Sequence, residues 1–230
     1  MNESNMYPWV TATRNYVGGE CPHKCHYCFV NDLKKYPNVA KRYSGEPFLI
    51  ESELAKNEGG GKTVFVQDCG DLFAEAIPIE WINRVFLHCN AYPGNIYVFQ
   101  TKNPKRFMGD FVFPKRILFG TTLESNIDHN VTEAPTPNER FEAMMQVKEF
   151  VKKRNLNADI FISIEPVMDF DLATFSSWIY QLKPKFVSIG ADSKRCGLTE
   201  PSAEKVRLFI NEMRNVTEVR VKDNLKRLVD

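Results

Sequence analysis

The chain has 230 residues, and its 30 Lys plus Arg nearly balance 29 Asp plus Glu, so no global charge draws it to nucleic acid or to an anionic membrane surface. Hydrophobic residues at 43% and charged residues at 26% suit a globular chain with a sizeable core. The longest apolar runs, such as 160–164, fall far short of the roughly 20 residues that span a bilayer, and the polar first seven residues hold no secretion core. A cytoplasmic protein with no membrane partner is expected.

In chain order, runs rich in Val, Ile, Phe and Thr at 9–16, 63–67, 96–100, 116–120, 159–164, 186–189 and 218–221 read as strands. Several are apolar throughout, as in sheets covered on both faces. Helices are expected over 79–90 behind Pro78 and over 137–154, where Phe141, Met144, Met145, Val147, Phe150 and Val151 keep helical spacing. Two more follow at 172–182 and at 202–215 behind Pro201. This alternation predicts one α/β domain over 1–230, with a parallel sheet, right-handed crossovers and its chemistry in the loops after the strands. Gly59-Gly60-Gly61-Lys62-Thr63 imitates a phosphate-binding loop, but Lys56 stands where the first glycine is required and the segment precedes a strand instead of following one.

Three of the six cysteines crowd into the loop 18–30 as Cys21-Pro22-His23-Lys24-Cys25-His26-Tyr27-Cys28, while Cys69, Cys89 and Cys196 stand singly. Crowding of this kind points to a metal and not to a disulfide framework. Three thiolates at C-x3-C-x2-C can hold three irons of a [4Fe–4S] cubane and leave the fourth iron open for chemistry, whereas structural clusters close with four cysteines. The competing reading is a structural zinc completed by His23 or His26, in a non-enzymatic binding protein. His88 and Cys89 fall within a helix and need no function.

The cysteine spacing, with Tyr27 before the last cysteine, resembles the radical SAM superfamily. Five further segments, 64–73 (VFVQDCGDLF), 97–106 (YVFQTKNPKR), 118–124 (LFGTTLE), 162–167 (ISIEPV) and 187–193 (VSIGADS), are similar in order to motifs of a phage-associated three-cysteine-motif family related to spore photoproduct lyase. The chain departs from that family at Cys69, at Ala191-Asp192 and at Val221-Lys222-Asp223-Asn224. The resemblance implies a partial parallel (β/α)6-type TIM-like barrel, the radical SAM core. It further implies a [4Fe–4S] cluster on Cys21, Cys25 and Cys28 that reductively cleaves S-adenosylmethionine (SAM) to a 5′-deoxyadenosyl radical.

For the other residues the resemblance implies roles at strand ends. Asp68, Gly70 and Asp71 fall where the methionyl amine of SAM binds, although Asp71 reads equally as a cap for the segment after Leu72. Lys102 faces the SAM carboxylate, and Thr121, Thr122 and Glu124 hold the ribose. Glu165 closes an apolar strand and reads as a ligand contact, because an unpaired buried charge is costly. Cys196 and Cys69 are candidate hydrogen-atom donors, though a lone cysteine is more often a small apolar filler. Tyr27 and Phe29 shield the cluster. The loop 126–137 can form a lid.

The expected substrate is a nucleic acid or nucleotide, met by Lys102, Lys105, Arg106, Lys115, Arg116, Lys194 and Arg195; a peptide or protein is the alternative. The partners implied are an external electron donor of flavodoxin or ferredoxin type and a partner protein that completes the substrate site.

Overall fold

In a computed structural model, which describes residues 7–229, the β-rich runs and the periodic apolar segments become alternating strands and helices. Strand β1 (Ala12–Arg14) leads to β2 (Val17–Gly18), the cysteine loop, α1 (Phe29–Leu33) and α2 (Pro37–Arg42). Strand β3 (Phe48–Leu49) pairs antiparallel with β2, and α3 (Glu51–Leu54) returns the chain to β4 (Thr63–Val66). There follow α4 (Ile79–Asn90), β5 (Ile96–Thr101), β6 (Ile117–Thr122), α5 (Pro137–Lys153), β7 (Ala158–Ile164) and α6 (Leu172–Leu182). Last come β8 (Phe186–Ile189), α7 (Ala203–Met213), β9 (Glu218–Val221) and α8 (Lys226–Val229).

Seven strands form one parallel sheet in the order β1-β4-β5-β6-β7-β8-β9, so the chain winds steadily in one direction and leaves β1 and β9 as edges. The expected α/β parallel architecture is the one observed, and its seven strands fall within or overlap the seven runs read as strands. The run 9–16 is only partly strand: residues 7–10 make a turn closed by Val10 N to Tyr7 O at 3.0 Å. Between β5 and β6 the crossover is a 3-10 turn (Pro104–Met108), because Pro104 starts the segment and Pro114 stops it short of a longer helix. Among the described residues no helix is long and apolar enough to cross a membrane.

Helix starts follow local chemistry. Thr136 and Glu139 form a capping box with Pro137 at the first helical position of α5, while Asp171 accepts from Thr174 N at 2.8 Å to start α6. The helices cover one face of the sheet, packing on Val64, Val66, Tyr97, Phe99, Phe119, Ile162 and Ile189.

On the other face Phe65, Val98, Leu118, Phe161 and Phe186 meet Tyr7, Trp9 and Val10, so the N-terminal segment plugs the concave side. Gly120 admits the Phe161 ring there, since a Cβ at that position would lie 2.1 Å from the ring. Two residues further along the same face, the plug gives way to Gln67, Gln100, Thr122 and Ser163. Side chains repeat every second residue along a strand, so this polar layer lies directly above the aromatic one, at the C-terminal ends of the strands.

Candidate active site

The polar layer floors a cavity of about 680 Å³ whose walls are the loops after the strands. Its lining includes Cys21, Cys25 and Cys28, together with Asp68, Gly70, Asp71, Lys102, Thr122 and Glu165, so most of the expected site residues come together. Cys69, Thr121, Glu124 and Cys196 do not line it. Thr121 points to the helix side and donates to Thr101 O at 2.7 Å, because it alternates with the inward Thr122. Glu124 is occupied behind the wall by Arg140 Nη1 at 2.7 Å and by the Tyr27 hydroxyl, with Lys102 Nζ at 3.7 Å. Cys196 sits on the outer side, its carbonyl 3.0 Å from His26 Nε2.

The cysteine loop is seated by hydrogen bonds to the barrel. Gln67 accepts from Val17 N and donates to Val17 O, both at 2.9 Å, which fixes β2 beside the end of β4. Turns close the loop through Lys24 N to Cys21 O at 3.3 Å and Cys28 N to Cys25 O at 3.1 Å. The segment 126–137 is no lid over the cavity, since none of it lines the wall. It buttresses the cysteine loop instead: His26 N donates to Val131 O and Glu133 N to His23 O, both at 2.8 Å, and Thr132 Oγ1 lies 3.3 Å from Cys25 Sγ.

Asp71 is buried and spends its carboxylate on protein donors. Oδ2 meets His23 Nε2 at 2.9 Å, Thr101 Oγ1 at 2.8 Å and Lys102 N at 2.8 Å, while Oδ1 accepts from Phe73 N at 2.8 Å. Burial pushes its pKa up, but His23 and these donors outweigh burial and hold it below the usual range. Asp68 accepts from Asn15 Nδ2 at 2.5 Å and hydrogen-bonds with the Cys69 thiol. Lys102 is held protonated: burial disfavours its charge, yet Cys25 and Glu124 raise its pKa above the ordinary value. Its Nζ stands 5.3 Å from the centre of the Tyr27 ring.

Across the cavity Glu165 accepts from Lys222 Nζ at 2.5 Å and from Asn224 Nδ2 at 2.9 Å. The residues that sequence reasoning missed are Tyr7, Gln67, Gln100, Ser163, Asp192, Ser193 and Lys222. Tyr7 donates to Gln100 Oε1 at 2.8 Å and lies 3.0 Å from Ser163 Oγ, at the floor. Period-two alternation marks Gln67, Gln100 and Ser163 as one face, which was the available signal. Nothing local marks Tyr7.

The expected phosphate-contacting cations are largely engaged or misplaced. Lys194 pairs with Asp32, Arg106 donates to Ala74 O and Ile77 O, and Lys115 and Arg116 precede β6, at the end of the sheet away from the cavity.

Cys21, Cys25 and Cys28 line the cavity together, three soft thiol donors of the kind that a three-thiolate cluster takes. His23 and His26, the candidate fourth zinc ligands, are bound to Asp71 and to Cys196 O. Among the described residues the cysteines that line the cavity are Cys21, Cys25 and Cys28. Burial, with Asp71 nearby, pushes the Cys21 thiol up to about 12.

The architecture is an α/β fold with a seven-stranded parallel sheet, of the partial TIM-like barrel kind. Among solved structures the chain is similar to spore photoproduct lyase with bound AdoMet and dinucleoside spore photoproduct, at 10% identity and TM-score 0.55 over 94% of this chain and 64% of that one. It is also similar to a cysteine-to-serine mutant of spore photoproduct lyase, at 9% identity and TM-score 0.65 over 96% of this chain and 78% of that one. Streptococcus suis SuiB bound to S-adenosylmethionine matches at 10% identity and TM-score 0.54 over 93% of this chain, which spans 50% of SuiB. SuiB is also solved bound to precursor peptide SuiA. No protein-family profile and no curated protein matches the chain. At such identities the likeness is one of fold.

Proposed function

We propose that the chain is a radical SAM enzyme whose site is the cavity between the cysteine loop and the strand ends. The observation that carries this reading is that Cys21, Cys25, Cys28 and Lys102 line one cavity at the C-terminal ends of a parallel partial barrel. When bound, a three-cysteine [4Fe–4S] cluster supplies the electron that cleaves SAM to a 5′-deoxyadenosyl radical.

The chain's own residues bind and orient. Lys102, cationic and close to Cys25, offers its ammonium to the SAM carboxylate. Asp68 and the Gly70 backbone accept from the methionyl ammonium, a role that the occupied Asp71 supports from behind. Thr122, Gln100 and Glu165 provide polar contacts to the nucleoside. Thr121 and Glu124 act indirectly, through Thr101 and through Tyr27 and Lys102. The aromatic plug of Tyr7, Trp9, Phe161 and Phe186 closes the floor and keeps water from entering there.

Of the two candidate hydrogen-atom donors, neither of which lines the cavity, Cys69 is the one this reading favours. Burial and then Asp68 push its thiol up to about 12, keeping it protonated, and Tyr43 hydrogen-bonds with it just behind the wall.

The substrate class follows from the neighbours' ligands and remains part of the proposal. The lyase likeness favours a nucleic acid or nucleotide, and the SuiB likeness favours a peptide. The occupied state of Lys194 and Arg106 lowers the phosphate-binding capacity of the mouth, so salt-dependent binding of single-stranded DNA or RNA decides between them; no binding at low salt ends the nucleic-acid reading. An external flavodoxin- or ferredoxin-type donor supplies the electron, and a partner protein completes the substrate site.

The test is anaerobic. Protein reconstituted with iron and sulfide, reduced and given SAM is expected to yield 5′-deoxyadenosine, lost in Cys25→Ala. Protein that takes up zinc and yields no nucleoside overturns the reading.

A further inference from the structure

His23 lies between two of the three cluster cysteines and is bound on two sides. Its Nε2 is 2.9 Å from Asp71 Oδ2, with only 6% and 7% of the two side chains exposed. Asp71 in turn is gripped by Thr101 Oγ1, Lys102 N and Phe73 N, all at 2.8 Å, so it is anchored to the ends of β4 and β5. On the other side the His23 carbonyl accepts from Thr132 Oγ1 and Glu133 N, both at 2.8 Å, from the segment after β6. A single residue of the loop is thus fixed from three strand ends. His26, the other histidine of the loop, is less constrained: its contact with Cys196 O is on the exposed surface.

Gln67, Val131 and Glu124 hold other parts of the loop, through Val17, His26 and Tyr27, and between Cys21 and Cys25 the buried side-chain tie is that of His23. Cys21 to Cys25 is a tight turn with Lys24 in the left-handed region at φ 43°, a conformation that an ordinary side chain adopts only when its surroundings enforce it. Ordering such a loop costs conformational entropy residue by residue, and that cost falls on cluster binding unless the loop is already held. Groups that orient metal ligands without touching the metal commonly change affinity by about 10–100-fold when removed.

We infer that His23 is a positioning residue: through its tether to Asp71 it holds Cys21 and Cys25 at the spacing a three-cysteine cluster requires, and so governs how long the cluster is retained without ligating it. The inference rests on the cluster reading proposed above. It assigns Asp71 to the support of the cluster loop in place of direct contact with SAM.

The test uses the full chain, reconstituted anaerobically, as wild type, His23→Ala, His23→Gln, Asp71→Asn and the His23→Ala/Asp71→Asn double variant. Iron release to a ferrous chelator, the EPR line shape of the reduced cluster and thermal unfolding of the apoprotein are measured on each. His23→Ala and Asp71→Asn are expected to release iron about tenfold faster or more and to alter the EPR signal. The double variant is expected to be no faster than the worse single one, because both remove one interaction. His23→Gln, which keeps a donor toward Asp71, is expected to recover most of the retention.

Lower apoprotein stability with unchanged iron release and EPR signal would assign the pair to folding alone and overturn the inference. Multiplied effects in the double variant would overturn it as well. Wild type that takes up no cluster fails the proposed function and the inference together; wild type that loads, with variants that do not differ from it, fails the inference alone.

Discussion

Tyr27, the residue before Cys28, donates its hydroxyl to the carboxylate of Glu124, 97 positions further along the chain. Glu124 also holds Arg140, whose side chain is 1% exposed and which donates to Thr122 O at 2.6 Å. The cysteine loop, the end of β6 and the start of α5 therefore meet in one buried charged node.

Removing the carboxylate leaves the Arg140 charge buried and without its counter-ion. Glu124→Ala is expected to destabilise the fold by about 3–5 kcal/mol, the range for breaking a buried pair from one side. Urea unfolding followed by circular dichroism measures it. A loss below about 1 kcal/mol would mean that Arg140 finds water or another acceptor.

The same node predicts a pH dependence. Burial raises the Glu124 pKa, but Arg140, Lys102 and Tyr27 outweigh it, and the folded value lies below the ordinary carboxylate range. A depressed folded pKa stabilises the fold above the unfolded value, about 4.3, and that contribution fades as pH falls through the folded value. The stability gap between wild type and Glu124→Gln is expected to be full at pH 7 and to narrow below about pH 4, in thermal melts across that range.

Tyr7 separates packing from polarity at the cavity floor. Its ring stacks with Trp9 at 5.0 Å and meets Phe161 edge-on at 6.2 Å. Tyr7→Ala is expected to cost about 3–5 kcal/mol as an aromatic-to-alanine change. Tyr7→Phe leaves Gln100 and Ser163 short of one partner and is expected to cost about 1–3 kcal/mol. Denaturant titration of the two variants against wild type gives both numbers.

Gly190 is needed for close approach and not for turning. A Cβ there would stand 2.6 Å from Glu165 Oε1 and 2.9 Å from Asn224 Oδ1. Gly190→Ala is expected to push Glu165 off Asn224 and Lys222 and to weaken SAM binding by isothermal titration, with overpacking costing about 1–3 kcal/mol of stability. Unchanged SAM affinity would place Glu165 outside the cofactor's reach.

That Cys21, Cys25 and Cys28 share one cavity wall was readable because they lie within eight residues, so chain connectivity alone keeps them together. The parallel sheet was readable for a related reason. Strand–helix alternation and apolar periodicity are local patterns, and the handedness of crossovers then limits the topology. Where local pattern and register had to agree, reading went only halfway: Thr121 and Thr122 are adjacent and chemically alike, but pairing of Thr122 with Ser163 turns one inward and the other toward Thr101.

The sequence by itself determined the grouping of three cysteines on one loop, the kind of sheet and the strand ends that carry polar groups, all consequences of short-range spacing. Tertiary structure alone decided which polar groups are available and which are already taken. Asp71, Glu124 and Arg106 look like ligand-binding groups in sequence, yet each is occupied by partners from distant segments. Tyr7 and Lys222, from opposite ends of the chain, come together at 4.8 Å beside Glu165. A buried charge or donor must find its partner within a few ångströms, and which residue fills that place is set by how the strands are ordered side by side.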